Sequence, residues 1–372
     1  MKIKKKMKIA YLFNSSIPSY NASSLQVINV CHQIANYVGK ITLITPNTGL
    51  NKSLYDHYGI YKNFKILKIK YFDQFPKGIN YYFFSITSII HALRIKPDLF
   101  ITRNYFTLFL LILLRKKVVF EVHTDLKIEG KLNNFIYSNF SIFNSKNLVN
   151  LIFITNSLKN YFFKKYKIKK RKISIIPSAS NFKSFLPHIN RNKKLKVGYF
   201  GLVNKSRGFD FILKLSKIDK NNEYHIVGGL NKDINLYKLK YPNKNLFLNS
   251  YLTHKKVRDY IRKMDLLLLP YEKKVLVSGN VGDIGEFTSP IKLFDYLASS
   301  KPIMASSLPV FKEILTNKKN CIFVNDLNIY KWKLEINKFS KSINLRQIIS
   351  KNNFNLSKNY TYKKRVQSMF DF

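Results

Sequence analysis

The sequence predicts an α/β chain made of two halves of similar size, each a set of parallel strands with helices between them. Two observations carry this. Short apolar runs recur between longer stretches of helical spacing, and most of them do not alternate cleanly; strands covered on both faces read that way. The pattern breaks once, at 177–194 (PSASNFKSFLPHINRNKK), where two prolines and a polar, basic stretch read as a linker, and then restarts. A length of 372 residues suits two domains.

In the first half the strand-like runs are 7–13, 41–45, 65–70, 98–102, 117–122, 150–154 and 173–176. Between the first two, Leu25, Ile28, Cys31, Ile34, Ala35 and Val38 form a helical stripe. Ser23 or Ser24 is placed to cap it and Gly39 to stop it, which makes one βαβ unit. In the second half the runs are 195–200, 223–228, 244–248, 265–269, 301–305 and 321–324, with helical segments at 208–218, 254–263, 290–299 and 309–315. Residues 357–372 read as an amphipathic helix. Parallel sheets of this kind bind ligands at the carboxyl ends of their strands, so the chemistry is sought in the loops that follow strands.

Hydrophobic residues make up 46% of the chain, which excludes a mainly disordered protein. Lys and Arg number 65 against 20 Asp and Glu, a net charge of +45. Two readings stay open. A basic surface attracts the phosphates of nucleic acid or of anionic lipid. Alternatively, a chain crowded with Lys, Asn, Ile, Phe and Tyr reflects AT-rich codons, and its Lys are scattered rather than gathered in one tract. Cys31 and Cys321 stand alone, which argues against a disulfide framework and a cysteine zinc site and suits a reducing cytoplasm. The longest apolar run, 105–114, is half the length of a membrane span and ends at Arg115-Lys116-Lys117. The basic start MKIKKKMKIAYLF reads as a charged leader into a first strand.

Four segments offer chemistry. In 278–296 (SGNVGDIGEFTSPIKLFDY), Gly279, Gly282 and Gly285 lead into Thr288-Ser289-Pro290 and a helix. Ser289 as cap and Pro290 as first helical residue would present free N–H groups to an anion. Asp295 follows nearly two turns on, a carboxylate able to accept two hydrogen bonds from a diol, or simply a solvated acid on an ordinary helix. In Gly201–Gly208 (GLVNKSRG), glycines bracket Lys205 and Arg207, a phosphate clamp or a basic surface turn. Glu121 and His123 share a face at a strand's carboxyl end, where His123 can donate to a substrate, or can be structural. The polar loop 14–24 (NSSIPSYNASS) could hold a hydroxyl-rich ligand or be a plain connection. No G-x-G-x-x-G follows the first strand, and GxxxxGK[ST], GxSxG and HExxH are absent, as is an Asp-x-Asp in a strand-end loop.

The run TSPIKLFDYLASSKPIMAS from Thr288, followed by Leu308-Pro309 and Glu313-Ile314, resembles the retaining nucleotide-sugar glycosyltransferases of family 4, with the GT-B fold. V-G-Y-F-G at 197–201, I-V-G at 226–228, L-P-Y at 269–271 and YTYKKRV at 360–366 support it; the first half matches more loosely, through Ala22–Gly39 and E-V-H at 121–123. The resemblance implies two Rossmann-like α/β domains facing a central cleft: an acceptor-side domain at 1–185, a donor-binding domain at 190–355, and a helix at 356–372 packing back on the first.

It also implies roles. Asp295 stands where the family's second Glu of E-x7-E meets the ribose. Ser289 and Pro290 stand at the helix start that faces the diphosphate. Gly201, Lys205 and Arg207 lie in the phosphate-binding loop, and His123 near the transferred sugar. The donor would be a UDP- or GDP-type sugar, and no metal or other cofactor is expected. The acceptor would be a hydroxyl of a glycan or lipid-linked molecule at the cytoplasmic face of a membrane. This sequence departs from the family where Leu202 replaces the loop's Arg, Asp295 replaces Glu, and Phe287 holds the first Glu's position with Glu286 one residue away. Retention without an enzymic nucleophile fits front-face attack, in which cations and helix N-termini stabilise the leaving diphosphate. Those departures leave a catalytically silent GT-B homologue acting as a partner or scaffold as a rival. The charge leaves a nucleic-acid-binding protein, although no such module is readable.

Overall fold

The computed structural model describes residues 6–72, 76–169, 172–191, 193–276 and 282–370. The chain forms two compact units, 1–178 together with 362–372, and 179–361.

In the first unit the chain runs β1 (Lys8–Leu12), α1 (Ala22–Ala35), β2 (Lys40–Pro46), α2 (Leu54–Tyr58), β3 (Lys65–Ile69), α3 (Lys77–Ile95), β4 (Leu99–Thr102), α4 (Tyr105–Leu113), β5 (Val118–Val122), α5 (Lys131–Asn139), β6 (Leu148–Phe153), α6 (Asn156–Lys165) and β7 (Ile173–Ile175). The strands form one seven-stranded parallel sheet in the order β3-β2-β1-β4-β5-β6-β7. Helix α1 starts earlier than its apolar stripe suggests. Asn21 is the N-cap, and Ser24 lies inside the helix, where its hydroxyl donates to the Ser16 carbonyl at 3.0 Å. A serine bonded to the preceding loop is not available to cap.

The second unit runs β8 (Lys196–Phe200), α7 (Phe209–Ile218), β9 (Glu223–Val227), α8 (Asn231–Lys240), β10 (Leu246–Asn249), α9 (His254–Arg262), β11 (Leu266–Leu269), α10 (Ile291–Ala298), β12 (Ile303–Ser306), α11 (Pro309–Lys312), β13 (Ile322–Val324), α12 (Ile329–Lys341) and α13 (Ile343–Ser357). Its six parallel strands are ordered β10-β9-β8-β11-β12-β13. Both sheets reverse direction next to their first strand, the doubly wound arrangement of Rossmann-like domains. The apolar run at β11 is continuous because both its faces are covered. Leu267 and Leu269 enter one core with Leu293, Phe294 and Ala305, while Leu266 and Leu268 enter the other with Tyr199, Ile226 and Met304. Each fully buried leucine contributes about 1.5–3 kcal/mol.

The Ser180 N–H donates to the Tyr360 carbonyl at 2.9 Å, so the two places where the chain enters and leaves this unit lie side by side. The closing helix α14 (Tyr362–Met369) belongs to the first unit and packs on α1.

Candidate functional site

In the second unit the switch point lies between β8 and β11, and the loops beyond their carboxyl ends converge. The Glu272 N–H donates to the Ser206 carbonyl at 3.0 Å, and the Leu276 N–H to the Ser206 hydroxyl at 3.2 Å. Asn204 folds the loop by accepting from the Ser206 N–H at 2.9 Å, and Gly208 closes it with φ of 81°. A Cβ at Gly208 would fall 2.0 Å from the Pro270 carbonyl oxygen, so only glycine lets the two loops approach this closely. The result holds Arg207 partly enclosed, while Lys205 points outward and is exposed.

Helix α10 brings Lys292 to the same place. Its ammonium is fully enclosed, 3.9 Å above the Tyr199 ring and 5.4 Å from the centre of Tyr271. A Cβ on Gly201 would lie 2.7 Å from Lys292 Nζ, so this glycine makes room for the amine. Among the described residues, neither Lys292 Nζ nor Arg207 Nε has a hydrogen-bond partner. Burial, with the nearby Arg207 charge, holds the Lys292 ammonium well below its usual pKa. An enclosed ammonium and a partly enclosed guanidinium, with no ion pair to either among the described residues, form a site prepared for an anion.

The start of α10 differs from the expectation at one point. Pro290, expected as the first helical residue, occupies the N-cap in extended conformation, and the helix begins at Ile291. Its first turn is tight, with the Leu293 N–H donating to the Pro290 carbonyl at 3.0 Å. Asp295 lies one turn beyond Lys292 and accepts from the Ser180 hydroxyl at 2.5 Å. Burial pushes its carboxyl up to about 7, against the pull of that bond. Phe287 is buried, and Glu286 beside it is exposed. Gly279 and the rest of 277–281 lie outside the described residues; Gly282 and Gly285 lie within them.

In the first unit the site is a buried carboxylate. Glu121, at the end of β5, has no exposed surface. Arg103, following β4, reaches its Oε2 at 2.7 Å, and Arg365 of α14 reaches its Oε1 at 3.1 Å. His123 Nε2 is 3.1 Å from Oε2, on the shared face that period 2 predicts. Burial alone would raise the Glu121 carboxyl; the two guanidiniums override it and hold it well below the usual range. Burial, with the Arg103 charge, holds the His123 imidazole down to about 4. The neutral ring must carry its proton on Nε2 to bond a carboxylate that only accepts. Nδ1 is then the ring's acceptor, where the sequence reading expects His123 to donate. Arg365 also donates to the Ile176 carbonyl at 2.6 Å and to that of Pro177.

Three hydroxyls of the 14–24 loop are engaged by the protein itself: Ser16 bonds Thr48 at 2.7 Å, Ser19 donates to Ser24 at 2.8 Å, and Ser24 donates to the Ser16 carbonyl at 3.0 Å. Sequence reasoning missed Lys292, Arg103 and Arg365. Lys292 stands in the SPIKLFDY run itself, and a lone cation one turn before an acid was the available signal.

Residues 26–181 match the family model described as Glycosyltransferase Family 4. The matched segment holds Glu121, His123 and Arg103. Over the whole chain the fold is that of GT-B glycosyltransferases. Sucrose-phosphate synthase from Thermosynechococcus elongatus superposes over 97% of both chains with a TM-score of 0.73 at 11% identity. HepE of Anabaena, in complex with UDP-glucose, does so over 98% of both chains with a TM-score of 0.70 at 12% identity. WaaG, a glycosyltransferase involved in lipopolysaccharide biosynthesis, gives a TM-score of 0.68 at 12% identity, over 98% of this chain and 100% of its own. No curated protein sequence matches the chain. No described helix is long and apolar enough to cross a membrane.

Proposed function

We propose that the protein is a retaining glycosyltransferase that moves a sugar from a nucleoside-diphosphate sugar to a hydroxyl of a glycan or lipid-linked acceptor, in cell-surface polysaccharide or glycolipid synthesis. The observation that carries this is the pair of cations at the switch point of a doubly wound sheet, Lys292 enclosed and Arg207 partly so, with no ion pair to either among the described residues. A diphosphate supplies the opposing charge. Asp295 on the same helix offers its carboxylate to the ribose once the donor displaces or joins the Ser180 hydroxyl. The HepE structure, which holds UDP-glucose on the same fold, supports a donor of this class.

In the transfer step the bond between the anomeric carbon and the diphosphate oxygen breaks while the acceptor oxygen bonds that carbon from the same face. The acceptor's proton passes to the leaving phosphate oxygen. Arg207 and Lys292 stabilise the charge that builds on the diphosphate, the larger part of the catalytic effect in this scheme. His123 Nδ1 accepts a hydrogen bond from a sugar hydroxyl and fixes its orientation, and Glu121 holds the ring's tautomer.

A panel of UDP-, GDP- and other nucleotide sugars tests this by thermal shift and by transfer of labelled sugar. One member should raise the melting temperature, as about 2.7 kcal/mol of linkage at a hundred times Kd requires. That shift should shrink in Arg207→Ala. No stabilisation by any nucleotide sugar would overturn the reading. Phe287, buried where the family carries a carboxylate, favours a second one, a silent homologue, which would show stabilisation without transfer.

A further inference from the structure

The outer face of α3, α4 and α5 in the first unit is apolar and uncovered. On α3, Ile79, Ile86 and Ile90 are 53%, 48% and 49% exposed, and their spacing places them on one stripe. At the end of α4, Leu113 and Leu114 are 60% and 47% exposed, and on α5 Phe135 is 62% exposed. Aromatic contacts join the three helices into one surface. Tyr82 meets Phe106 at 4.8 Å, and Phe109 meets Phe140 at 6.4 Å between ring centres. An exposed apolar surface built on several elements marks a contact site rather than scattered single residues.

The charge around it has one sign. Helices that return between parallel strands run in a common direction, so the ends of α3 and α4 lie at one edge of the face. That edge carries Arg94 in the last turn of α3 and Lys96 just after it, and Arg115, Lys116 and Lys117 after α4. Lys127 and Lys131 stand at the opposite edge, where α5 begins. Acidic side chains are withdrawn. Asp98, the sole acid from 77 to 117, accepts from the Lys8 N–H at 2.8 Å, and Glu129 accepts from the Thr124 hydroxyl at 2.8 Å. Asp125 pairs with Lys165 at 3.1 Å. Apolar in the middle and cationic at both edges, the face matches the acyl boundary and headgroups of an anionic bilayer.

We propose that this face docks the first unit onto the surface of an anionic lipid bilayer, with the exposed α3 and α5 side chains entering the acyl boundary and the flanking Lys and Arg meeting lipid phosphates. The docked edge at α5 adjoins the loop of His123, because Thr124 of that loop bonds Glu129 just before the helix. A lipid-linked acceptor would then arrive along the bilayer rather than through solution. This part rests on the proposed transfer activity; the docking itself does not.

The full-length protein is floated with vesicles of phosphatidylglycerol and phosphatidylcholine, or of phosphatidylcholine alone, at low and high salt. Binding is expected to the anionic vesicles and to weaken as salt rises. Ile86→Asp with Ile90→Asp should lower it at least tenfold. Replacing Arg115, Lys116 and Lys117 by Gln should lower it roughly a hundredfold. Ile86→Trp keeps the face apolar and the fold intact; its fluorescence should shift to the blue and be quenched by brominated acyl chains. No binding to anionic vesicles, unchanged binding in both loss variants, or an unquenched Trp would overturn the proposal. So would a concentration-dependent dimer abolished by the Ile86 and Ile90 substitutions, which would make this a self-association face. Nucleotide-sugar stabilisation, measured on the same samples, reports the other reading separately.

Discussion

Lys292→Met should stabilise the free protein and weaken nucleotide binding. Methionine keeps the length and the apolar stem, and drops the charge. In the free protein the ammonium is enclosed without an acceptor, resting on the Tyr199 ring at 3.9 Å. The ring returns about 0.5–2 kcal/mol of cation–π attraction. An unpaired buried charge costs several kcal/mol more than that, so the variant should gain roughly 1–3 kcal/mol. With a diphosphate bound, the same substitution removes a charge-assisted hydrogen bond of about 1.5–3 kcal/mol, or roughly 10- to 150-fold in affinity. Urea denaturation with and without the nucleoside diphosphate that stabilises the wild type reads both effects in one series. The pH dependence adds a third readout. The folded Lys292 titrates below its ordinary 10.5. Between those values the unfolded chain holds the extra proton, and wild-type stability rises with pH across that window. The variant should lose this rise, and within that window wild type should take up a proton on binding. Destabilisation of the free variant, or undiminished nucleotide affinity, would refute the argument.

Other expectations follow from the same contacts. Glu121→Gln leaves the Arg103 and Arg365 guanidiniums buried without their carboxylate, and should cost about 3–5 kcal/mol in chemical denaturation of the first unit. His123, held at about 4 against an ordinary 6.5, makes the folded protein lose stability as pH falls through that interval, because only the unfolded chain gains the proton; His123→Asn should flatten that part of the profile. Asp295, raised from 3.8 to about 7, has the opposite sign, so its cost grows as pH rises between those values. Asp295→Ala should relieve it and still weaken nucleotide binding roughly 10- to 150-fold, seen by titration calorimetry. Arg207→Ala should lower the turnover rate more than the donor affinity, since charge builds on the diphosphate as the sugar leaves; equal effects would place Arg207 in ground-state binding alone.

The strands were legible because burial on both faces leaves a mark that needs no partner to read. At β11, Leu266–Leu269 supply both cores at once, and four consecutive leucines say so. Helices α12 and α13 left weaker marks. On α12 the inward residues Trp332, Ile336 and Phe339 have helical spacing but are diluted among lysines. On α13 the inward face is polar. Arg346 donates to the Asn190 carbonyl, Ser350 to that of Ser300, and Asn353 to that of Lys301 at 2.9 Å. A reading based on apolar periodicity is blind to a helix that buries hydrogen bonds. The site divides in the same way. Glu121 and His123 are two residues apart, so strand geometry alone pairs them. Arg365 meets Glu121 across 244 residues, and no local pattern encodes that. Lys292 was in view as a letter, but its enclosure depends on Tyr199, Gly201 and Tyr271 arriving from other elements.

That long separation has a consequence for how the chain is made. Ribosomes add roughly 5–20 residues per second, so Arg365 is joined to the chain about 10–50 s after Glu121, 244 positions earlier. Throughout that interval the nascent first unit holds an acid at its centre with half its positive neighbours missing, and α1 lacks the helix that covers it. The second unit is one unbroken stretch that ends only four residues before Arg365, so both units are completed at almost the same moment. A chain interrupted between Thr361 and Arg365 keeps a complete second unit and an unsealed first unit, a fragment that proteases would recognise at its amino-terminal end.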